Sequence, residues 1–483
     1  MKVTVHNLGV LKEAQVDIKP LTVFVGPNNA GKTWLAYTLA GIFGPIGFTE
    51  YLQRFEETSL TYTPLENAID ALLNKGSASI DLVQFAKEYG PRYFNDIAKS
   101  ARNWIPYFMG TKAVSFDKLD ISIDLAESEN NFLERVTNYA LRSQMPAIQA
   151  GSSLSIRKDR GETKLYAYIS TQYSSSDDTL LEEPGAEQLP IYLIKNFVVQ
   201  SILEILHRSL YSQVLILPTE RTTFITFPFS GIRERDMAKQ LEVAEGSIQG
   251  RGSKLMSGPV NHFLYMIDTV LDDETKERIE KERAKLAKSS PRIAKYIQLA
   301  RLLEKNIMGG EVNFSQPEVS GPGATREVMF QPNVHSKLEI SVASSMVKEL
   351  SPLVLYLRYL ARPGELLIID EPEMNLHPEA QVKMIELLSM LINTDLNILI
   401  TTHSPYVIDH LTNLIKAYDA EDKETVRREF YLKRTDAFIS KENVSVYLID
   451  KSKATKAIDE DGVIELNTFG EVSDRISDIY FTL

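Results

Sequence analysis

Gly26-Pro27-Asn28-Asn29-Ala30-Gly31-Lys32-Thr33 fits the pattern G-x-x-x-x-G-K-[ST] and lies between the apolar run Leu21–Val25 and a stretch that reads as a helix from Lys32. Its chemistry is phosphate binding. Glycines let backbone N–H groups turn toward an anion, and the helix N-terminus adds its positive dipole end. Lys32 reaches the β- and γ-phosphates of a nucleotide, and the Thr33 hydroxyl ligates Mg²⁺. Far along the chain Leu366-Leu367-Ile368-Ile369 runs into Asp370-Glu371-Pro372. An apolar strand ending in two acids puts carboxylates at the C-terminal edge of a sheet, where open α/β sheets bind nucleotides. Asp370 then holds the Mg²⁺ hydration shell and Glu371 polarises the attacking water. Such acids can also merely cap a helix; the phosphate loop favours the catalytic reading. After the next strand, Ile398–Thr401, come Thr402-His403-Ser404-Pro405. A lone histidine there is commonly structural, but its order behind the two nucleotide motifs makes His403 a candidate to face the γ-phosphate.

The elements that position these groups alternate. Residues 2–5 and 14–18 read as a short hairpin, and Leu21–Val25 as a buried strand. Past Gly321-Pro322-Gly323 the pattern predicts strand 337–342, helix 346–360, strand 365–369, helix 379–391 and strand 397–401. Terminal strands are expected at 443–450 and 463–466. Alternation of this kind implies α/β with a mostly parallel sheet. Between lies a large, mainly helical insertion, residues 45–335, flanked by a nucleotide-binding head of residues 1–44 and 336–483. Within it, Ser153–Arg157 and Lys164–Ser170 read as a β-hairpin, so that a hairpin is expected near 153–170. Asp272–Leu286 and Arg292–Ile307, split by Ser289-Ser290-Pro291, read as a short helical-hairpin arm near 272–307. That arm is rich in Lys and Arg. A solvated helical face and a DNA or RNA contact both fit it.

The chain of 483 residues has 53 Lys and Arg against 65 Asp and Glu, a net charge of −12, which excludes a generally basic nucleic-acid coat. It has no cysteine, so disulfides, thiolate metal sites and cysteine nucleophiles are excluded. The N-terminus lacks the features of a signal peptide, and no apolar stretch is long enough to span a bilayer. A cytoplasmic location and no membrane contact are expected.

GPNNAGKT (26–33), LLIIDEPEMNLHPEAQ (366–381) and TTHSPYVIDHL (401–411) together resemble the ABC-type ATPase heads of the SMC, RecF and OLD group. They are more closely similar to the AAA_15 and AAA_21 ATPases of bacterial anti-phage defence operons. That resemblance implies an ABC-ATPase-like P-loop NTPase head with a mixed N-terminal sheet and a parallel core, using ATP and Mg²⁺. It implies that Trp34 joins residues 26–33 around the nucleotide, and that Asn375 lies near a dimer interface. It further implies a homodimer of heads or a higher homo-oligomer, in which Ser344 or Ser345 reaches the partner's nucleotide. Ser344 as a plain helix cap is the competing reading. Leu217-Pro218-Thr219-Glu220-Arg221 resembles the LPxxR segment of these ATPases and brings Arg221 near the nucleotide. The implied function is a switch that controls a separate effector encoded nearby, a nuclease or a toxin. OLD proteins append a Toprim nuclease, and too little chain follows His403 for one, so no nuclease is expected here. The alternatives are a DNA-repair or recombination ATPase of SMC/RecF type acting through the 272–307 arm, and a module that holds ATP without turnover.

Overall fold

In the computed structural model, four apolar segments lie level in one sheet because their residues are buried on both faces, as parallel strands require. They are Leu21–Val25, Val214–Leu217, Leu366–Asp370 and Asn397–Thr402. The structure describes residues 1–57, 62–145, 152–171, 190–227, 256–316, 326–333 and 336–465, together with 475, 478–480 and 482. The described chain forms two bodies: one of residues 4–40, 102–119 and 213–483, the other of 1–3, 41–101 and 120–212.

In the larger body the strands stand in the order Lys2–Leu8, Leu11–Asp17, Lys453–Lys456, Val444–Asp450, Leu21–Val25, Asn397–Thr402, Leu366–Asp370, Val214–Leu217. The last five of these run parallel. Val444–Asp450 meets Lys453–Lys456 antiparallel, so the sheet is mixed toward its N-terminal strands. The α/β class, with a parallel core beside a mixed region, is the one expected. Register decides what the sheet edge carries. Asp370 lies opposite Thr401, Thr401 opposite Phe24, and Val25 opposite Thr402. Gly26, Glu371 and His403, which follow these strands, therefore emerge side by side at one edge although they are distant in sequence.

Beneath the sheet, Leu367, Ile369, Ile398 and Ile400 share a core with Val347, Leu350 and Val354 of helix Ser345–Leu355 and with Leu387, Leu388 and Leu391 of helix Pro378–Ile392. Each such side chain, fully withdrawn from water, contributes about 1.5–3 kcal/mol. A small antiparallel sheet, Gly310–Phe314, Val328–Pro332 and Leu338–Glu339, packs on this core.

The larger body departs from the sequence reading at several points of its fold. The head boundary expected at 335/336 falls at 212/213, because Val214–Leu217 pairs with Leu366–Ile369 and buries all four side chains. The expected arm exists as helices Asp273–Ser289 and Pro291–Leu303, but it is not free: Tyr296, Leu299, Ala300 and Leu303 lie in the main core. The strand expected over 337–342 shortens to Leu338–Glu339 and turns into a 3₁₀ turn, Ile340–Val342, with Ser341 and Val342 exposed. The expected 463–466 strand is a single bridge from Ile464 to Ile458, and residue 466 lies outside the described residues.

The smaller body is more than helical. The expected hairpin, observed as Ser152–Lys158 and Lys164–Thr171, gains Ser77–Asp81 and Leu141–Met145 to make a four-stranded antiparallel sheet. Helix Ile191–Leu210 buries His207 there against Phe94 and Phe48. Among the described residues no helix is long and apolar enough to cross a membrane.

Candidate nucleotide site

A cleft of about 550 Å³ opens at the sheet edge of the larger body, lined by residues from Asn28 to Trp34 together with Val10, Thr219, Asp370, Glu371 and His403. The loop sets its floor. Gly26 has φ +149°, and a side chain there would run into the Ile449 carbonyl, so only glycine lets the loop leave the strand at this angle. Asn29 holds φ +61°, a left-handed conformation that asparagine tolerates. Lys32, 5% exposed, folds over the loop and donates to the carbonyls of Gly26 at 2.8 Å and Pro27 at 2.9 Å. Burial lowers the affinity of its amine for a proton, while Glu371, Asp370 and Glu373 oppose that trend. Trp34 stacks on Phe116, and the bare Gly9 makes room for its ring.

Asp370 is fully buried and collects hydroxyls. Thr33 donates at 3.0 and 3.1 Å, Tyr37 at 3.1 Å, and Thr401 through a short contact. Burial pushes the Asp370 carboxyl up from the usual range; the hydrogen bonds from Thr401, Thr33 and Tyr37 pull it back. Tyr37, four residues after Thr33 on the same helix face, is held well above the ordinary phenol range by burial and by Asp370. Thr401 also accepts the Glu371 N–H at 3.1 Å. Glu371 sits at φ +50°, a conformation rare for a side-chain-bearing residue and one often found at functional sites. Its carboxylate lies 3.5 Å from His403 Nδ1.

The main chain of this acid pair is clamped from behind. Arg221, 1% exposed, donates to the carbonyl of Asp370 at 2.6 Å, of Glu371 at 2.8 Å and of Pro218 at 2.8 Å, and is ion-paired to Glu349. Burial pulls its guanidinium down to about 10, against the attraction of Asp370. The expectation that Arg221 approaches the nucleotide is thus corrected: it does not line the cleft but fixes the backbone that does.

The structure brings Lys32, Thr33, Trp34, Asp370, Glu371 and His403 together. It leaves Ser344, Ser345 and Asn375 exposed and outside that cleft. Ser344 caps helix Ser345–Leu355, accepting the Val347 N–H at 3.4 Å. Sequence reasoning missed Tyr37, Thr401 and Glu373; the hydroxyl pair Thr401-Thr402 at a strand end and the second glutamate of Asp-Glu-Pro-Glu were the available signals. A second depression, of about 620 Å³, is lined by Tyr406, His410, Phe430 and Tyr431 and shares none of these groups.

Three solved structures similar to this chain are SMC heads. One is the SmcHead bound to the C-winged helix domain of ScpA, at 10% identity and TM-score 0.38, covering 97% of this chain and 98% of that one. A second is the Smc head domain with an extended coiled coil bound to the C-terminal domain of ScpA from Pyrococcus furiosus, at 11% identity and TM-score 0.35, covering 99% and 98%. A third is the SMC head domain from Thermotoga maritima, at 10% and 0.30, covering 96% and 98%. No curated protein matches the chain. Residues 223–409 match the AAA_21 model, described as "AAA domain, putative AbiEii toxin, Type IV TA system". Asp370, Glu371 and His403 all lie within the matched residues, whereas Lys32 and Thr33 precede them.

Proposed function

We propose that this chain is an ATP-binding and ATP-hydrolysing molecular switch, the sensor ATPase of a bacterial anti-phage defence system that controls a separate nuclease or toxin. One observation carries the enzymatic part. The phosphate loop, the acid pair and His403 leave neighbouring parallel strands at the same level and line one cleft. In this reading the triphosphate lies along residues 26–33, Lys32 neutralises the β- and γ-phosphates, and Glu371 takes a proton from the attacking water. His403 contacts the γ-phosphate.

The site's donors fit a magnesium ion that arrives with the nucleotide. Thr33 and Asp370 offer a hydroxyl and a carboxylate already within hydrogen-bond distance, and both are hard oxygen donors. Among the described residues no group of three or more His, Cys, Asp or Glu could hold a metal, so the other positions fall to phosphate and water. When bound, the ion supplies Lewis-acid neutralisation of the phosphate oxygens.

Exposed Ser344 and Ser345, beside Val342 at 67% exposure, support a head-to-head homodimer in which this surface meets the partner's nucleotide. Asn375, exposed at φ +61°, belongs to the same proposed face. The matched model's description, a putative toxin of a toxin–antitoxin system, supports a role in a system of that kind. Hydrolysis then changes dimer geometry, and the effector reads it.

The test is light scattering of wild type and Glu371→Gln with and without ATP–Mg²⁺, alongside phosphate release. Loss of turnover with retained or enhanced ATP-dependent assembly is expected. Turnover that survives the substitution overturns the assignment of Glu371.

A further inference from the structure

Next to the proposed catalytic pair sits a carboxylate without an assigned role. Glu373 is 4% exposed. Its Oε1 accepts the Thr402 hydroxyl at 2.6 Å and the His403 N–H at 2.9 Å, and it lies 3.6 Å from His403 Nδ1. Its Oε2 is buried with no hydrogen-bond partner. A buried carboxylate oxygen left without a partner is costly, so a native site retains one where it serves something else.

What it serves follows from acceptor counting. His403 Nδ1 faces Glu371 Oε1 at 3.5 Å and Glu373 Oε1 at 3.6 Å. Ionised carboxylates only accept, and a bare imidazole nitrogen also only accepts. A proton on Nδ1 is the arrangement that avoids three acceptors facing one another. Both separations exceed a formed hydrogen bond, as is common before a catalytic site tightens around its substrate.

We propose that Glu373 is a positioning residue that holds His403 with its proton on Nδ1 and its Nε2 turned toward the γ-phosphate. The inference rests on the ATPase reading given above. Glu373 acts twice: it ties residues 402–403 through Thr402 and the His403 amide, and it orients the ring, whose Nδ1 it shares with Glu371. Its cost is borne by the fold because Thr402 and helix Pro405–Tyr418 are fixed independently. Ser404 caps that helix through Val407 at 3.3 Å and donates to Gln381 at 2.6 Å.

The experiment compares the full-length wild type with Glu373→Gln, Glu373→Asp and Glu371→Gln. It reads steady-state phosphate release at several ATP concentrations, thermal unfolding, and the ¹⁵N shifts of histidine in selectively labelled protein, with His403 assigned by His403→Gln. Glu373→Gln is expected to lower kcat about tenfold or more with KM within about twofold, since a group that acts through the ring is felt in the transition state. Its amide can present a donor to Nδ1, so the His403 shifts should move toward the Nε2–H tautomer. Glu373→Asp should recover part of kcat and the wild-type shifts. Unchanged kcat and unchanged shifts in a folded Glu373→Gln protein overturn the inference. So does a kcat loss that parallels unfolding and that Glu373→Asp does not relieve. If wild type releases no phosphate, or Glu371→Gln keeps turning over, the ATPase reading fails instead, and the ¹⁵N comparison still decides where Glu373 holds the His403 proton.

Discussion

Arg221 and Glu349 form an ion pair with both side chains out of reach of water, directly behind the carbonyls of Asp370 and Glu371. Glu349 lies on helix Ser345–Leu355, which begins at the exposed Ser344-Ser345 corner, so one guanidinium joins that helix to the acid pair. Removing one partner of a buried pair strands the other charge, at a cost of about 3–5 kcal/mol. Glu349→Ala should therefore lower the denaturant midpoint strongly, whereas the double variant Arg221→Met with Glu349→Leu should be markedly less destabilised. Equal losses in the two proteins would mean that the charges contribute little beyond packing.

Thr401 serves both acids at once through one hydroxyl, touching Asp370 Oδ1 and taking the Glu371 N–H. Thr401→Val keeps the shape and removes both contacts. The expected result is ATP binding within about twofold of wild type and turnover reduced tenfold or more, where tenfold corresponds to about 1.4 kcal/mol in the barrier. Fluorescent-nucleotide titration beside phosphate release measures the two separately. Unaltered turnover would show that Asp370 and Glu371 are set without it.

His207 provides a pH dependence in the smaller body. Its Nε2 lies 3.1 Å from the Gly44 carbonyl and its Nδ1 3.2 Å from the Tyr93 hydroxyl, an arrangement suited to the neutral ring. Burial pulls it down to about 4 from the ordinary 6.5. Between those values the unfolded chain binds the additional proton, so the contribution is complete above about pH 6.5 and is lost as pH falls toward 4. Its full size is about 3 kcal/mol. Chemical denaturation of wild type and His207→Gln from pH 4 to 7.5 isolates it: the stability difference between the two should shrink as the solution is acidified. A difference independent of pH would contradict a neutral buried ring.

The two basic helices divide into structural and surface cations. Arg283 is buried and donates to the carbonyls of Leu357 and Arg358 at 2.8 and 3.2 Å, whereas Lys281 and Lys285 are exposed. Arg283→Glu should fold poorly, by more than about 3 kcal/mol; Lys281→Glu with Lys285→Glu should change stability by less than about 1 kcal/mol. Thermal unfolding separates the two. The exposed pair is also the right probe for DNA: a salt-dependent affinity that loses slope in the Lys281→Glu/Lys285→Glu protein would favour the DNA-acting alternative.

The cleft was legible where chemistry sits at strand ends. Lys32, Thr33, Asp370, Glu371 and His403 each follow an apolar run, and parallel pairing brings such ends to one edge. Arg221 was misplaced because its partners are main-chain carbonyls and Glu349, far away in sequence, which no local pattern announces. The boundary at 212/213 was missed because Val214–Leu217 is a four-residue apolar run, too short to be told from a buried helical turn by periodicity. Arg283 illustrates a third limit. A charge-rich helix looks solvated until one of its faces is seen packed against Leu357 and Ala361.

The strand that launches the phosphate loop is flanked by Asn397–Thr402 on one side and Val444–Asp450 on the other. During synthesis, which proceeds from the N-terminus, Leu21–Val25 thus waits for both neighbours until most of the chain has been made. Pairings of such large sequence separation close slowly, and an apolar strand with two open edges invites pairing with other chains. Nascent or prematurely terminated products of this protein should therefore depend on chaperones, and the nucleotide site should be among the last features of the molecule to mature.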